Sequence, residues 1–310
     1  MTEYSWRDVN CPICADSSLS HIILECKDRL TVKSQTVFTL RKCKECGLVI
    51  LSPQLDNESL HLAYEADGYD PFQSLQSPAS FFDHIYRLAR DFTLTWKKNL
   101  IAKLITPGSR LLDGGCGTGE FLNHLKSDYQ VEGYEPERKV AMWVQQVHQL
   151  KIHAGNSSDL PADLEKFDII TLWHVLEHVP DPAAELNLLN KLLNPGGKVL
   201  IAVPNITSAD SMIYGSNWVA LDAPRHLWHF SLKQIDALAG KTGFKLQKTG
   251  MLPLDVYYNC LLSERLCITN KSIAQILLTP FRMPVTVLLS LLYGLATGRH
   301  SSNYYVLEKK

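Results

Sequence analysis

A strand-like run, Arg110-Leu111-Leu112-Asp113, is stopped at once by Gly114-Gly115-Cys116-Gly117-Thr118-Gly119, and a helix-like stretch follows over 120–127. Glycines packed so closely between a strand and a helix let the backbone turn sharply and approach a ligand with no Cβ in the way. Few folds place them there. The text that follows points to one of them. Residues 131–135 read as a second buried strand, Lys151–Ala154 as a third, Phe167–Trp173 as a fourth and 198–203 as a fifth, each a short apolar run. Between them Pro136 opens a helix at a position where a missing N–H costs nothing. Asp181 caps another helix that starts at Pro182, and Asn194-Pro195-Gly196-Gly197 stops it. Strands and helices alternating with short joins make a doubly wound, mostly parallel α/β sheet covered on both faces.

The glycine spacing is D-x-G-x-G-x-G rather than the G-x-G-x-x-G of dinucleotide folds, and it begins with an acid, Asp113. An anionic pyrophosphate is poorly served by that carboxylate, whereas a cationic sulfonium amino acid is well served. Further along, Glu135 closes the second strand, where a carboxylate can accept two hydrogen bonds from ribose hydroxyls. The plain alternative for Glu135 is a surface acid ahead of a helix N-terminus, where it gains about 0.3–1 kcal/mol.

Composition narrows the class. A chain of 310 residues has room for about two domains. Its formal net charge of −1 argues against a nucleic-acid partner and supplies no general attraction to an anionic membrane. The first ten residues hold no apolar core of a secretory signal, so the chain reads as cytoplasmic. Four of the eight cysteines are patterned, as Cys11-Pro12-Ile13-Cys14 and Cys43-Lys44-Glu45-Cys46. Two such C-x-x-C knuckles supply the four thiolates of a tetrahedral Zn²⁺ site, closed and therefore structural. Cys26, Cys116, Cys260 and Cys267 read as reduced thiols in packing roles. The expected layout is a zinc ribbon over 1–60, a helical connecting layer over 61–108, the nucleotide-binding α/β domain over 109–252, and a helical segment with a closing edge strand over 253–310. The apolar segment Ile273–Thr297 is interrupted by Pro280, Arg282 and Pro284. Its uncharged part, 283–298, falls short of the roughly 20 residues a spanning helix needs. It reads as a broken, largely buried helical pair, with a membrane-surface role as the secondary reading.

On the glycine loop and its acid, residues 109–251 resemble the class I methyltransferases that use S-adenosylmethionine. The resemblance implies a seven-stranded sheet with S-adenosylmethionine as cofactor. Asp113, Gly115, Gly117 and Gly119 would lie against its methionine part, Glu135 on its ribose and Asn156 beside adenine. Many members carry aspartate at the Asn156 position, and an amide can still pair there. Trp173-His174-Val175-Leu176-Glu177-His178-Val179-Pro180 looks like the L-E-H-V signature of ubiquinone-type methyltransferases. It follows the fourth strand, so it faces the crevice, with His174 toward the cofactor and His178 toward the acceptor. Some of that group bind a divalent metal here through two glutamates and a histidine. His174 replaces one of the glutamates, and Glu177 and His178 are equally able to hydrogen-bond loop backbone. A zincin reading fails because Val175 stands where that motif needs glutamate.

A second resemblance lies in Asp222-Ala223-Pro224-Arg225-His226-Leu227-Trp228-His229-Phe230-Ser231. This loop, together with the ribbon, is similar to that of zinc-containing sugar C-methyltransferases, whose base falls on His226. A histidine, with an ordinary pKa near 6.5, suits proton removal from an acceptor. Arg225 replaces their glutamate and would anchor an acceptor phosphate or carboxylate, or, with His226, lock the loop to the sheet. Tyr64 and Tyr69 match an aromatic segment that leans over the acceptor. The leading expectation is therefore a methyltransferase acting on a carbohydrate, as nucleotide-linked sugar or glycan. A quinone-type small-molecule O-methyltransferase and a ribosomal-RNA methyltransferase stand as alternatives, and a zinc-ribbon binding module as the non-catalytic one.

Overall fold

The structure is a computed structural model that describes residues 4–30, 36–64, 81–268 and 273–310; Tyr69 lies outside the described residues. The N-terminal part runs β1 (Trp6–Arg7), β2 (Leu24–Lys27), β3 (Val37–Lys42), β4 (Val49–Leu51) and β5 (Gln54–Leu55) into α1 (Asn57–Tyr64) and α2 (Phe81–Ile101). The α/β part follows as β6 (Arg110–Gly114), α3 (Glu120–Leu125), β7 (Gln130–Glu135), α4 (Arg138–His148) and β8 (Lys151–Ala154). It continues through β9 (Phe167–Trp173), α5 (Pro182–Leu192), β10 (Leu193–Pro204) and α6 (Ala209–Tyr214). After these come β11 (Trp228–His229), α7 (Leu232–Lys241), β12 (Phe244–Met251), α8 (Asp255–Ile268), α9 (Ile273–Thr297) and β13 (Ser302–Lys309).

Seven strands form the central sheet in the order β12-β13-β10-β9-β6-β7-β8. The five strands β10, β9, β6, β7 and β8 are parallel, and β13 runs antiparallel to both of its neighbours. Successive side chains of a strand point to opposite faces, and both faces here are apolar. Leu111, Ile169, Leu200 and Val306 pack with α2, α3 and α4 on one side. Leu112, Ile170, Val199, Ile201 and Leu307 pack with α5, α7 and α8 on the other. The second core runs on without a break into the cysteine module through Phe38, Leu40 and Ile50.

The strands read from the sequence appear within a residue or two, with one extension. β10 starts at Leu193, paired to Phe167, then bulges over 194–197 before the register resumes at Lys198. Three expectations need correction. Pro136 does not open α4; that helix starts at Arg138 and is capped by Glu137, which accepts from the Lys139 N–H. β13 is no edge strand. It is inserted between β10 and β12, with Tyr304 facing one core and Tyr305 the other. Ile273–Thr297 is one continuous helix rather than a broken, buried pair, and one side of it is exposed. A proline inside a helix forfeits a backbone hydrogen bond. Packing of α9 against α6 and α8, with Ser290 Oγ donating to buried Asp210 at 2.8 Å, outweighs that loss. Among the described residues no helix is long and apolar enough to cross a membrane.

Candidate active site

The chain winds outward from β6 through β7 to β8 on one side, and from β9 to β10 on the other, so the strand order reverses between β6 and β9. A crevice opens at the carboxyl ends of strands at such a switch point. The glycine loop enters it. Gly115 and Gly117 hold φ of +61° and +51°, conformations that favour glycine. A Cβ on Gly115 would lie 2.8 Å from the Val175 side chain, while Gly117 borders open space. Gly119 also holds a positive φ, +70°, and a Cβ there would run into Val144 of α4.

Glu135 ends β7 beside the loop. Its two oxygens accept the Gly117 N–H at 2.9 Å and the Glu137 N–H at 3.0 Å. Those bonds aim the carboxylate and leave lone pairs for further hydroxyl donors. Asn156 is exposed next to Glu135, where the Gly155 N–H bonds the Glu135 carbonyl at 2.9 Å. Asp113 is 3% exposed and accepts from Thr171 Oγ1 at 2.5 Å. Burial pushes its carboxyl up to about 7, against the opposing pull of Thr171 and Lys97. A buried carboxyl balanced at neutral pH gains a full charge when a cation settles beside it. Lys97 of α2, its ammonium 4.2 Å from the Trp173 ring, gave no signal in the sequence, because only the folded helix carries it to the strand ends.

His174 takes φ +56°, an uncommon conformation for a residue with a Cβ. Its ring lies between two acids, with Nδ1 3.4 Å from Glu177 Oε1 and Nε2 3.1 Å from Asp255 Oδ2. Burial works to lower its pKa, but Asp255 and Glu177 outweigh it and raise the value to about 10. Glu177 is 1% exposed and neither of its oxygens has a hydrogen-bond partner among the described residues. Burial alone would neutralise it; protonated His174 outweighs burial and holds its carboxyl below the ordinary range. The Glu177 side chain therefore does not bond loop backbone, although its carbonyl accepts the Leu227 N–H at 2.8 Å.

On the acceptor side, Glu177, His178 and His226 bring one ligand-type atom each within 4.8 Å of one another; His174 is not in that group. The His178 and His226 rings meet edge to face at 4.6 Å. His226 Nδ1 lies 2.8 Å from the Ala220 carbonyl, which can only accept, so Nδ1 carries a proton and the neutral ring has its lone pair on Nε2. Asp222 Oδ2 is 3.9 Å from that Nε2. His178 Nδ1 is 2.9 Å from Tyr64 Oη and 3.1 Å from the Arg225 carbonyl. Burial depresses His178 to about 4, so it is neutral at physiological pH.

Arg225 is no acceptor anchor. It is 1% exposed and fully engaged, donating to Asp28 at 2.8 Å, to Asp222 at 2.7 Å and to the Ala63 carbonyl at 3.2 Å. A guanidinium with this many buried partners cannot reach an acceptor. It locks the loop instead to the cysteine module and α1. The module holds the loop from the far side as well: β11 is the outer strand of its four-stranded sheet, order β11-β4-β3-β2. Within the module the four Sγ atoms cluster, with Cys11–Cys46 at 3.4 Å and Cys14–Cys43 at 3.3 Å. Four thiolates around Zn²⁺ at about 2.3 Å each would stand roughly 3.8 Å apart, so the set fits with a small expansion.

The crevice, the glycine loop and the acid at the end of β7 define a class I methyltransferase domain of the S-adenosylmethionine-dependent kind. The chain belongs to the family described as "Methyltransferase domain", whose model matches residues 82–249. Over 138 residues it is 33% identical to a ubiquinone biosynthesis O-methyltransferase of Xanthomonas oryzae pv. oryzae (strain PXO99A), covering 42% of this chain and 58% of that protein. The protein of the same name from Xanthomonas campestris pv. campestris (strain B100) is 32% identical over the same share of each chain. The chain thus spans a little over half the length of the curated relatives it matches. Among solved structures, magnesium protoporphyrin IX methyltransferase from Synechocystis PCC 6803 with bound SAH has the same fold, at TM-score 0.52 and 16% identity. That match covers 82% of this chain and 100% of the other.

The His174 geometry has a pH consequence. A group whose pKa is higher folded than unfolded stabilises fully below its unfolded value, about 6.5 for histidine, and the contribution is lost as pH rises through the folded value, here about 10. In an NMR titration His174 should stay protonated through neutral pH, and Asp255→Asn should lower its proton affinity at least about tenfold. A His174 midpoint near 6.5 in the unmutated chain contradicts the pairing.

Proposed function

We propose that the chain transfers the methyl group of S-adenosylmethionine to a hydroxyl oxygen of a small-molecule acceptor, a phenolic ring of the quinone type. The Xanthomonas relatives support the acceptor class. The observation that carries the chemistry is His226, whose Nδ1 is committed to the Ala220 carbonyl while Nε2 is left to accept a proton.

When bound, S-adenosylmethionine supplies a methyl carbon made electrophilic by the positive sulfur. Asp113, Gly115 and Gly117 would hold the methionine part, Glu135 the ribose and Asn156 the adenine edge. His174 and Lys97 are the cations on that side, and both act on Asp255. Lys97 would meet the cofactor carboxylate, since both ring nitrogens of His174 already face acids. The acceptor hydroxyl donates to His226 Nε2. As its oxygen bonds the methyl carbon and the carbon–sulfur bond breaks, the hydroxyl proton passes to that nitrogen. Asp222, 3.9 Å away, stabilises the imidazolium that results. Neutral His178 and Tyr64 orient the acceptor, and such alignment is worth several kcal/mol of barrier.

A carbohydrate acceptor is the second reading. Tyr64 standing 2.9 Å from His178 favours it, because the sugar-methyltransferase resemblance puts an aromatic segment over the acceptor. Labelled-methyl uptake onto a panel of catechol-type phenols and nucleotide sugars separates the two. The four cysteines we assign to one structural Zn²⁺ that rigidifies the module behind the loop.

Three outcomes follow. Glu135→Ala should weaken S-adenosylmethionine binding by calorimetry about 10²–10⁴-fold, the value of two hydrogen bonds to a charged group; unaltered affinity removes the ribose role. His226→Gln should lower kcat roughly 10²–10⁴-fold while cofactor affinity holds, as loss of a general base does; full turnover sinks the base assignment. Elemental analysis should find about one zinc per chain, abolished in Cys43→Ser, as a four-thiolate site requires. Metal-free protein of undiminished melting temperature would refute the structural ion.

A further inference from the structure

The helical layer of α6, α8 and α9 carries an apolar face that none of the described residues covers. Along α9, Phe281, Val285, Leu288, Leu292 and Leu295 are 55–74% exposed. They recur at steps of four and three residues, so they form one stripe on a single side of the helix. Beside them Tyr257, Tyr258 and Leu261 of α8 are 45–55% exposed. Together these side chains uncover on the order of 800 Å² of largely apolar surface, above the roughly 300–600 Å² of the largest patch on an ordinary monomer.

The charges of the layer are sorted by sign. All three acids are engaged inside it. Asp210 accepts from Trp218, Ser290 and Ser301. Glu264 takes Tyr214 and Arg282, and Asp255 takes His174. The arginines look outward, Arg265 and Arg299 exposed and the Arg282 side chain 38% accessible. In a chain of net charge −1, this one face combines exposed leucines, tyrosines at its margin and cations alone among its outward-facing charges. That is the pattern of a helix lying in a lipid interface, apolar side down, with tyrosines at headgroup level and arginines on anionic lipid. A second copy of the chain fits less well, because a twofold contact buries this face against itself and so brings together two surfaces whose outward-facing charges are all cations.

We propose that this face docks on an anionic membrane surface, with α9 lying in the plane of the interface. Asp255, the first residue of α8, is bonded to His174, so the docked layer borders the crevice. The proposal concerns where the chain works and holds for either class of acceptor.

Flotation of the full chain with liposomes tests it. The protein should float with vesicles of equal phosphatidylglycerol and phosphatidylcholine and much less with phosphatidylcholine alone. Leu288→Glu with Leu292→Glu, both at exposed positions, should cut the bound fraction at least tenfold, with the melting curve by circular dichroism unaltered. Arg265→Gln with Arg299→Gln should weaken binding to the anionic vesicles by roughly fivefold per charge removed and erase the preference for them. Wild-type protein that floats with neither vesicle, or a leucine variant that floats as well as wild type, overturns the proposal. A dimer seen by light scattering, broken by Leu288→Glu and accompanied by no flotation, overturns it in favour of a second copy.

Discussion

A guanidinium with 1% exposure sets the terms for the acceptor half of this molecule. Taking a charge out of water costs several kcal/mol per ion unless partners meet it, and Arg225 finds them on three separate stretches of chain. Asp28 comes from the cysteine module, Ala63 from α1 and Asp222 from its own loop. Burial would lift the Asp222 carboxyl, yet Arg225 outweighs it and holds it far below the carboxylate range. The same carboxylate takes Arg29 at 2.5 Å and stands 3.9 Å from His226 Nε2. Docking of the module and shaping of the loop are therefore one event, and the candidate base has no defined position without it.

This coupling gives the cysteine module a role in the chemistry that its own residues do not perform. Its sheet continues into β11, and the Leu51 N–H bonds the Leu227 carbonyl at 3.0 Å. On α7, Gln234 Nε2 reaches the Cys46 carbonyl at 2.8 Å, and Lys241 reaches Pro12 and Ile13. The module is a buttress for the residues between Asp222 and Ser231.

How much of this was legible in the chain depended on how local the determinant was. The parallel strands, the glycine loop and Glu135 are written in contiguous residues, and each stands where its pattern put it. Arg225 read as an anchor for the acceptor because a loop arginine beside histidines resembles one; its partners Asp28 and Ala63 lie more than 160 residues away, beyond any local pattern. Lys97 and Asp255 were invisible for the same reason, since each enters the crevice from a helix outside the glycine-loop motif. Of the two readings offered for Glu177 and His178, the hydrogen bond to loop backbone holds for the His178 ring alone. Glu177 is answered by His174, a pairing that depends on the unusual backbone turn at that histidine. The prolines of α9 suggested a break, but tertiary packing overrode the local penalty.

The placement of β13 has a consequence for how the molecule is assembled. β12 touches the central sheet only through β13, which joins it to β10 along seven residue pairs on each side. β12 therefore has no seat in the sheet until β13 has paired with β10. Some hundred residues separate β10 from the partner that completes it, and closing so large a loop delays the contacts that reward it. Until then β10 presents an open row of amide and carbonyl groups, so folding leaves a central strand, not a peripheral one, temporarily unmatched.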